Sequence, residues 1–230
     1  YARERVITTV SKYFRPEIIE IGKFTDEEIN DILKTDLGIL NPNYLERISE
    51  IANGNARLAF LAGIRSVDKG YQAIHNAEDI FRNYYGRILS EADLTKDDVI
   101  MLFLITIAGP VKGRENNLFI DLKKQYGSKI REDETIEKLY SLEFVDWFKN
   151  EITKVSDQSL GNYILYYVLY EKRWISIEGL IAIAFPQYKN KVVYALKTII
   201  DIFNSEDVAK YVENSVIYAW NNAPEGQDVE

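Results

Sequence analysis

The sequence predicts a mainly α fold. Three observations carry the prediction. Two capping boxes stand in front of apolar runs, at Thr25/Glu28 and Thr95/Asp98. Apolar residues then recur at three- and four-residue spacings through most of the chain, the period of one helix face. Only two short runs late in the chain alternate as a strand does. The order divides the chain into a four-helix unit, a unit of three helices closed by a hairpin, and a C-terminal helical arm.

The elements follow in turn. Arg15-Pro16 marks a first boundary, because the residue before proline is pushed out of helical conformation. Glu17–Ile21 then reads as a short β-branched strand ending at Gly22. Thr25 caps a helix whose third residue, Glu28, reaches back to it, with Phe24 and Ile29 at the staple positions. Ile29, Ile32 and Leu33 form its stripe and Gly38 lies past its end. Asn41-Pro42 opens a second helix with Leu45, Ile48 and Ile51 inward, and Asn53-Gly54 stops it. Asn55 caps a third helix with small residues (Ala56, Ala59, Ala62, Gly63) that allow close packing. A fourth is expected over Asp68–Leu89.

Thr95 opens Asp97–Ala108, apolar on nearly all sides and therefore central to a second core. Gly109-Pro110 ends it. Helices over Asn117–Tyr126 and Asp133–Leu142 precede strand-like Phe144–Phe148 and Ile152–Val155, joined through Lys149-Asn150. Three helices followed by a hairpin is the order of a winged helix. Helices over Leu160–Arg173, Ile177–Phe185, Tyr188–Phe203 and Glu206–Trp220 complete the chain. The expected units are 1–24, a remnant of a preceding domain with its last strand; 25–93, helical; 94–157, winged helix; 158–222, helical arm; and 223–230, polar tail.

Composition removes several function classes. The 230 residues include no cysteine and one histidine, His75. Thiolate metal sites, disulfides, cysteine nucleophiles and a serine–histidine pair are excluded or left without partners. Lys and Arg number 28 against 36 Asp and Glu, a net charge of −8. That sign opposes sequence-independent binding to nucleic acid. Residues 95–156 carry ten Lys or Arg against eleven Asp or Glu, and the would-be recognition helix carries Asp133, Glu134 and Glu137 against Lys138. Phosphate would be repelled there, although Lys112, Arg114, Lys123, Lys124, Lys129 and Arg131 form a local basic stretch. No apolar run reaches membrane-span length and no signal-peptide pattern opens the chain. With a first residue of tyrosine, the expectation is an excised piece of a larger cytoplasmic protein.

Adjacent carboxylates at Glu27/Glu28, Asp97/Asp98 and Asp133/Glu134 lie in helix first turns, where the macrodipole accounts for them. Tyr163, Tyr166, Tyr167 and Tyr170 crowd one helix and suit packing against the next. Arg57 is the unusual charge. In the first turn of the third helix a cation opposes the macrodipole, at a cost of about 0.3–1 kcal/mol if unpaired. An anion bound at that helix start would reverse the sign.

Three segments carry a resemblance. Ile19–Ile29 looks like the last core strand and lid-helix entry of STAND proteins, a branch of the AAA+-related P-loop NTPases. Ile51–Ala59, with Gly54-Asn55-Ala56-Arg57 inside it, looks like that family's nucleotide-contact segment. Val155–Leu160 resembles the link out of its winged helix. The likeness spans about residues 15–175 and implies a four-helix AAA+-like lid unit followed by a winged helix. It also implies that Arg57 reaches nucleotide phosphates as the sensor 2 arginine, with Asn55 and Gly54 shaping the turn. Ala56 stands where the family has a proline against the adenine. No Gly-x-x-x-x-Gly-Lys-Ser/Thr loop occurs: Gly22-Lys23 runs into Phe24.

The implied function is regulatory, coupling nucleotide state to a conformational or oligomerisation switch in signalling or defence. ATP or ADP with Mg would belong to the parent protein and none to this chain alone. Partners would be the nucleotide-binding core of the same chain and a downstream sensor domain or protein, without nucleic acid or membrane. Two other readings stand beside it: the winged-helix DNA-binding portion of an AAA+ initiator-like protein, and a helical protein-interaction scaffold.

Overall fold

A computed structural model describes residues 22–112, 115–148 and 152–222. The expected strand Glu17–Ile21, the Lys149-Asn150 turn and the polar tail lie outside the described residues. The remainder is mainly helical. Among the described residues no helix is long and apolar enough to cross a membrane.

The helices α1 (Asp26–Leu37), α2 (Pro42–Ala52) and α3 (Ala56–Lys69) follow the sequence closely. Glu28 accepts from the Thr25 backbone N–H at 2.8 Å while its own N–H donates to the Thr25 hydroxyl, so the capping box is reciprocal. Gly63 lies where α3 crosses α1; a Cβ there would come within 2.5 Å of Leu37 and 2.8 Å of Leu33 side-chain carbons.

The expected fourth helix is divided instead. Asp68 belongs to α3, and Gly70 at φ +75° turns the chain out of it. A single turn, α4 (Gln72–His75), follows. The Asn76 side chain then accepts from the Glu78 N–H at 2.8 Å and starts α5 (Glu78–Phe81). A π-helical turn over Arg82–Gly86 joins α5 to α6 (Arg87–Glu91). Gly70 at positive φ and the Asn76 cap therefore interrupt the continuous apolar period.

Helix α7 (Lys96–Ala108) is the predicted centre, with Val99 through Ile105 buried on every side. Asp98 caps it, accepting from the Thr95 N–H at 2.8 Å, and accepts from Lys138 Nζ at 2.6 Å. Burial would raise the Asp98 pKa, but those hydrogen bonds outweigh it and hold the carboxylate below its usual range. After α7 come β1 (Val111–Lys112), α8 (Asn117–Tyr126), α9 (Glu132–Ser141), β2 (Val145–Phe148) and β3 (Ile152–Val155). The three strands form one antiparallel sheet in the order β1-β3-β2, with Val111 opposite Thr153 and Val145 opposite Val155. Two-residue β1 is too short to show alternation in sequence.

Helix α10 (Gln158–Tyr166) passes into a second π-helical turn, Tyr167–Glu171. Helix α11 (Ile177–Phe203) unites the two helices expected on either side of Pro186. The break survives as a kink, with Tyr188 non-helical at φ −129°, ψ 35°. Helix α12 (Glu206–Asn221) packs back along α11. The tyrosines pack inward as their spacing suggests: Tyr166 stacks on Phe203 at 3.9 Å between centroids, and Tyr163 stacks on Phe81 and Tyr85. One apolar core runs from α1 through α12, so α7 is central to a shared core and not to a second one.

Arg47 of α2 joins the early helices to the last turn of α11. It is buried and spends all five guanidinium N–H groups. Nε donates to the Ile74 carbonyl at 3.0 Å and Nη2 to those of His75 at 2.8 Å and Ile202 at 2.6 Å. Nη1 donates to the Asp201 carbonyl at 3.1 Å and to Glu50 at 3.0 Å. The Asp201 and Ile202 carbonyls lie in the last turn of α11, where no intrahelical donor exists and a cation is favoured.

Replacing Arg47 by Met keeps the volume and strands four carbonyls. The expected loss is about 2–4 kcal/mol, since an unsatisfied buried acceptor costs about 1–3 kcal/mol. Lysine, with three donors and no fork, should recover less than half. Urea unfolding midpoints of the two variants measure this.

Candidate functional site

The predicted segment Gly54-Asn55-Ala56-Arg57 spans the turn between α2 and α3 and the first two residues of α3. Asn53 ends α2 in the left-handed region at φ 46°. Gly54 follows at φ +84°, a conformation that disfavours any side chain. Space requires glycine too. The incoming chain crosses directly over it, with the Phe24 N–H donating to the Gly54 carbonyl at 3.1 Å. A Cβ on Gly54 would lie 2.8 Å from Lys23 Cβ and 3.0 Å from the Phe24 carbonyl oxygen.

Asn55 does three things with one side chain. Its Oδ1 accepts from the Leu58 N–H at 3.0 Å and caps α3. Its Nδ2 donates to Asp157 Oδ2 at 2.8 Å and to the Tyr85 hydroxyl at 3.2 Å. Tyr85 in turn donates to the same Asp157 oxygen at 2.6 Å. Burial first, then the charge and hydrogen bond of Asp157, push the Tyr85 pKa far up, so the phenol stays protonated and keeps donating. The other Asp157 oxygen accepts from the Ser159 N–H at 2.9 Å and caps α10. Buried Ser159 closes the loop, its hydroxyl donating to the Ala52 carbonyl at 2.7 Å. The end of α2 and the starts of α3 and α10 thus share one hydrogen-bonded cluster.

Arg57 stands apart from this cluster. It is exposed, with its guanidinium carbon 5.6 Å from the centroid of the Tyr84 ring, and no carboxylate among the described residues pairs with it. The Leu58 N–H is taken by Asn55, whereas the first two amides of α3, on Ala56 and Arg57, lie in the orphan first turn. The structure therefore separates the three predicted residues by task. Gly54 permits the crossing and Asn55 is bound into protein contacts. Arg57 alone presents free charge at a helix start, and the arrangement can hold an anion but offers no group for covalent or acid–base chemistry on it.

Sequence reasoning missed Tyr85, Asp157 and Ser159 as members of the cluster. Asp157 two residues before Ser159, ahead of an apolar run, is a legible N-cap. Its contact with Asn55 spans 102 residues and leaves no local trace.

The remaining candidates fall elsewhere. His75 lies 3.2 Å from Asn204 Nδ2 and edge-on to Tyr71. Much of the basic stretch is paired: Lys112 with Glu115, Lys123 with Glu132, and Arg131 with Glu134. Comparison with family models, curated proteins and solved structures finds no match for the chain.

Asn55→Ser keeps a capping oxygen for α3 and removes the amide that reaches Asp157. Asp157→Ala removes the other end. A double-mutant cycle on unfolding free energy should give a coupling of about 1–2 kcal/mol. Additive losses would mean the cluster does not join the two helix starts energetically.

Proposed function

We propose that this chain is the regulatory portion of a STAND- or AAA+-like nucleotide switch, coupling nucleotide state to a conformational or oligomerisation change. In this reading α1–α6 act as the lid, α7–β3 as a winged helix, and α10–α12 as an arm leading toward a downstream sensor domain or protein partner. The sequence of elements from α7 through β3, with sheet order β1-β3-β2, supports the middle assignment. A nucleotide-binding core outside these 230 residues supplies the phosphate cradle and Mg, since the sequence has no Walker A loop.

The observation that carries the proposal is the free Arg57 in the first turn of α3, the helix that Asn55 caps. Asn55 is itself hydrogen-bonded to Asp157 at the exit of the second unit. An anion drawn to Arg57 and the first amides of α3 would load the same turn that holds the start of α10. Nucleotide state would thereby reach the arm. Whatever chemistry the bound nucleotide undergoes belongs to the core; this chain would sense charge at one phosphate.

The DNA-binding alternative is weaker on charge. Helix α9 begins Glu132, Asp133, Glu134, and Lys123 and Arg131 beside it are held in ion pairs. Signalling or defence in a cytoplasmic setting fits the switch reading.

Arg57→Ala should leave the unfolding free energy of this chain within about ±0.5 kcal/mol of the original, as for a surface site. In the parent protein the same change should weaken ADP or ATP binding about tenfold or more, the loss of a charge-assisted contact worth about 1.5–3 kcal/mol. An unfolded variant with intact nucleotide affinity in the parent would make Arg57 structural and remove the basis of the proposal.

A further inference from the structure

Helix α3 is apolar on both of its faces. Leu58, Ala59, Ala62 and Gly63 are buried against the core. Phe60, Leu61, Ile64 and Val67 lie on the opposite side, each between 37% and 59% exposed. A helix that is apolar all round is ordinarily covered all round. Single exposed apolar side chains need no explanation, but a contiguous row of them marks an interaction surface.

The row is bounded by charge. Arg57 stands at its N-terminal end and Asp68 at its C-terminal end, and both are exposed. Eleven residues separate them, about three turns at 3.6 residues per turn, so they share a face with the row between them. The ion pair that α3 makes among the described residues, Arg65 with Asp79 at 4.0 Å, leaves both of them out. Each also opposes the helix macrodipole, a cation in the first turn and an anion in the last. Both charges are therefore misplaced for their own helix and well placed for one running the other way.

Whatever covers this face must offer an apolar strip with an anion at Arg57 and a cation at Asp68. The same face of a second copy does so. A twofold axis through the midpoint of the row, between Ala62 and Gly63, sets α3 antiparallel to its mate. Arg57 then opposes Asp68 of the second copy, Leu61 opposes Ile64, and Phe60 lies beside Val67. Twofold symmetry makes every such contact twice. A comparable exposed run on α12, Val216 to Trp220, has Glu213 before it and no cation after it, and so does not complement itself.

We propose that the outward face of α3 pairs antiparallel with the same face of a second copy of this chain, an apolar centre closed at each end by an Arg57–Asp68 ion pair. The 14-residue helix is about 21 Å long, and one such face falls short of the roughly 800 Å² per partner of a standard interface. The dimer is therefore reversible, with a dissociation constant of about 10–500 µM. The inference does not rest on the nucleotide reading. Arg57 takes part in both, and the two uses exclude one another: an Arg57 paired with Asp68 of a second copy cannot also hold a phosphate.

Sedimentation velocity of the 230-residue chain from about 10 µM to 1 mM reads the pairing. Arg57→Asp and Asp68→Arg each set like charges against each other at both ends, and each should weaken the dimer about tenfold or more. Both place at their end of α3 the sign that the macrodipole favours, so both variants should keep the unfolding midpoint. The double substitution restores opposite charges and should bring the dissociation constant back to within about threefold of the original. A chain that stays monomeric at about 1 mM overturns the proposal and leaves the face to the parent's nucleotide-binding core or to residues 1–21. A dimer that the single substitutions leave unchanged, or that the double substitution fails to restore, overturns it equally.

Discussion

A buried guanidinium with five hydrogen bonds sets the relation between α2 and the last turn of α11. Arg47 sits on α2, near the beginning, and reaches the last-turn carbonyls of α11, 154 and 155 residues later. Burying a cation is costly unless it is fully bonded. Here every donor has an acceptor, and two of the acceptors are helix-end carbonyls that need a donor in any case. The contact therefore works only as a whole. Shift α11 away from α2 and a charge and several carbonyls are stranded together.

The rest of the architecture fits around that constraint. Beside the α2–α11 contact, the start of α10 is held by Asp157 and Ser159 against the α2–α3 turn. The apolar layer fills in behind, Phe81, Tyr163, Tyr166 and Phe203 forming one aromatic series. The two polar joints are complementary. One uses charge and is saturated. The other uses neutral amide, phenol and hydroxyl groups around a single carboxylate, and it adjoins the exposed Arg57 at a helix start.

Much of the fold was legible because its signals are local. Thr25 with Glu28, Thr95 with Asp98, and Asn41 ahead of Pro42 each announce a helix start within four residues, and each forms the hydrogen bonds that spacing implies. The all-apolar face of α7 announced a central helix for the same reason. The division of residues 68–89 was readable in part, since Gly70 is a stop and Asn76 with Glu78 a restart. The apolar spacing on both sides concealed them. The π-helical turns left no sequence mark.

The candidate site was legible only as far as its own turn. Gly54, Asn55 and Arg57 fall where the spacing places them, at a helix start. That Asn55 is engaged with Asp157 and Tyr85, and Arg57 free, depends on long-range packing. Arg47 was passed over for a related reason: between Glu46 and Ile48 it reads as one more charged residue on an amphipathic helix. Its role exists only once α11 has folded back.

Native-state hydrogen exchange on the chain and on Arg47→Met tests this account most directly. If Arg47 welds α2 to α11, the slowest amides of the two helices should share one opening free energy in the unaltered chain, as parts of a single cooperative unit. The substitution should split them, lowering α2 and leaving α11 closer to its original value. Separate free energies for α2 and α11 before any substitution, unchanged by removing Arg47, would contradict it.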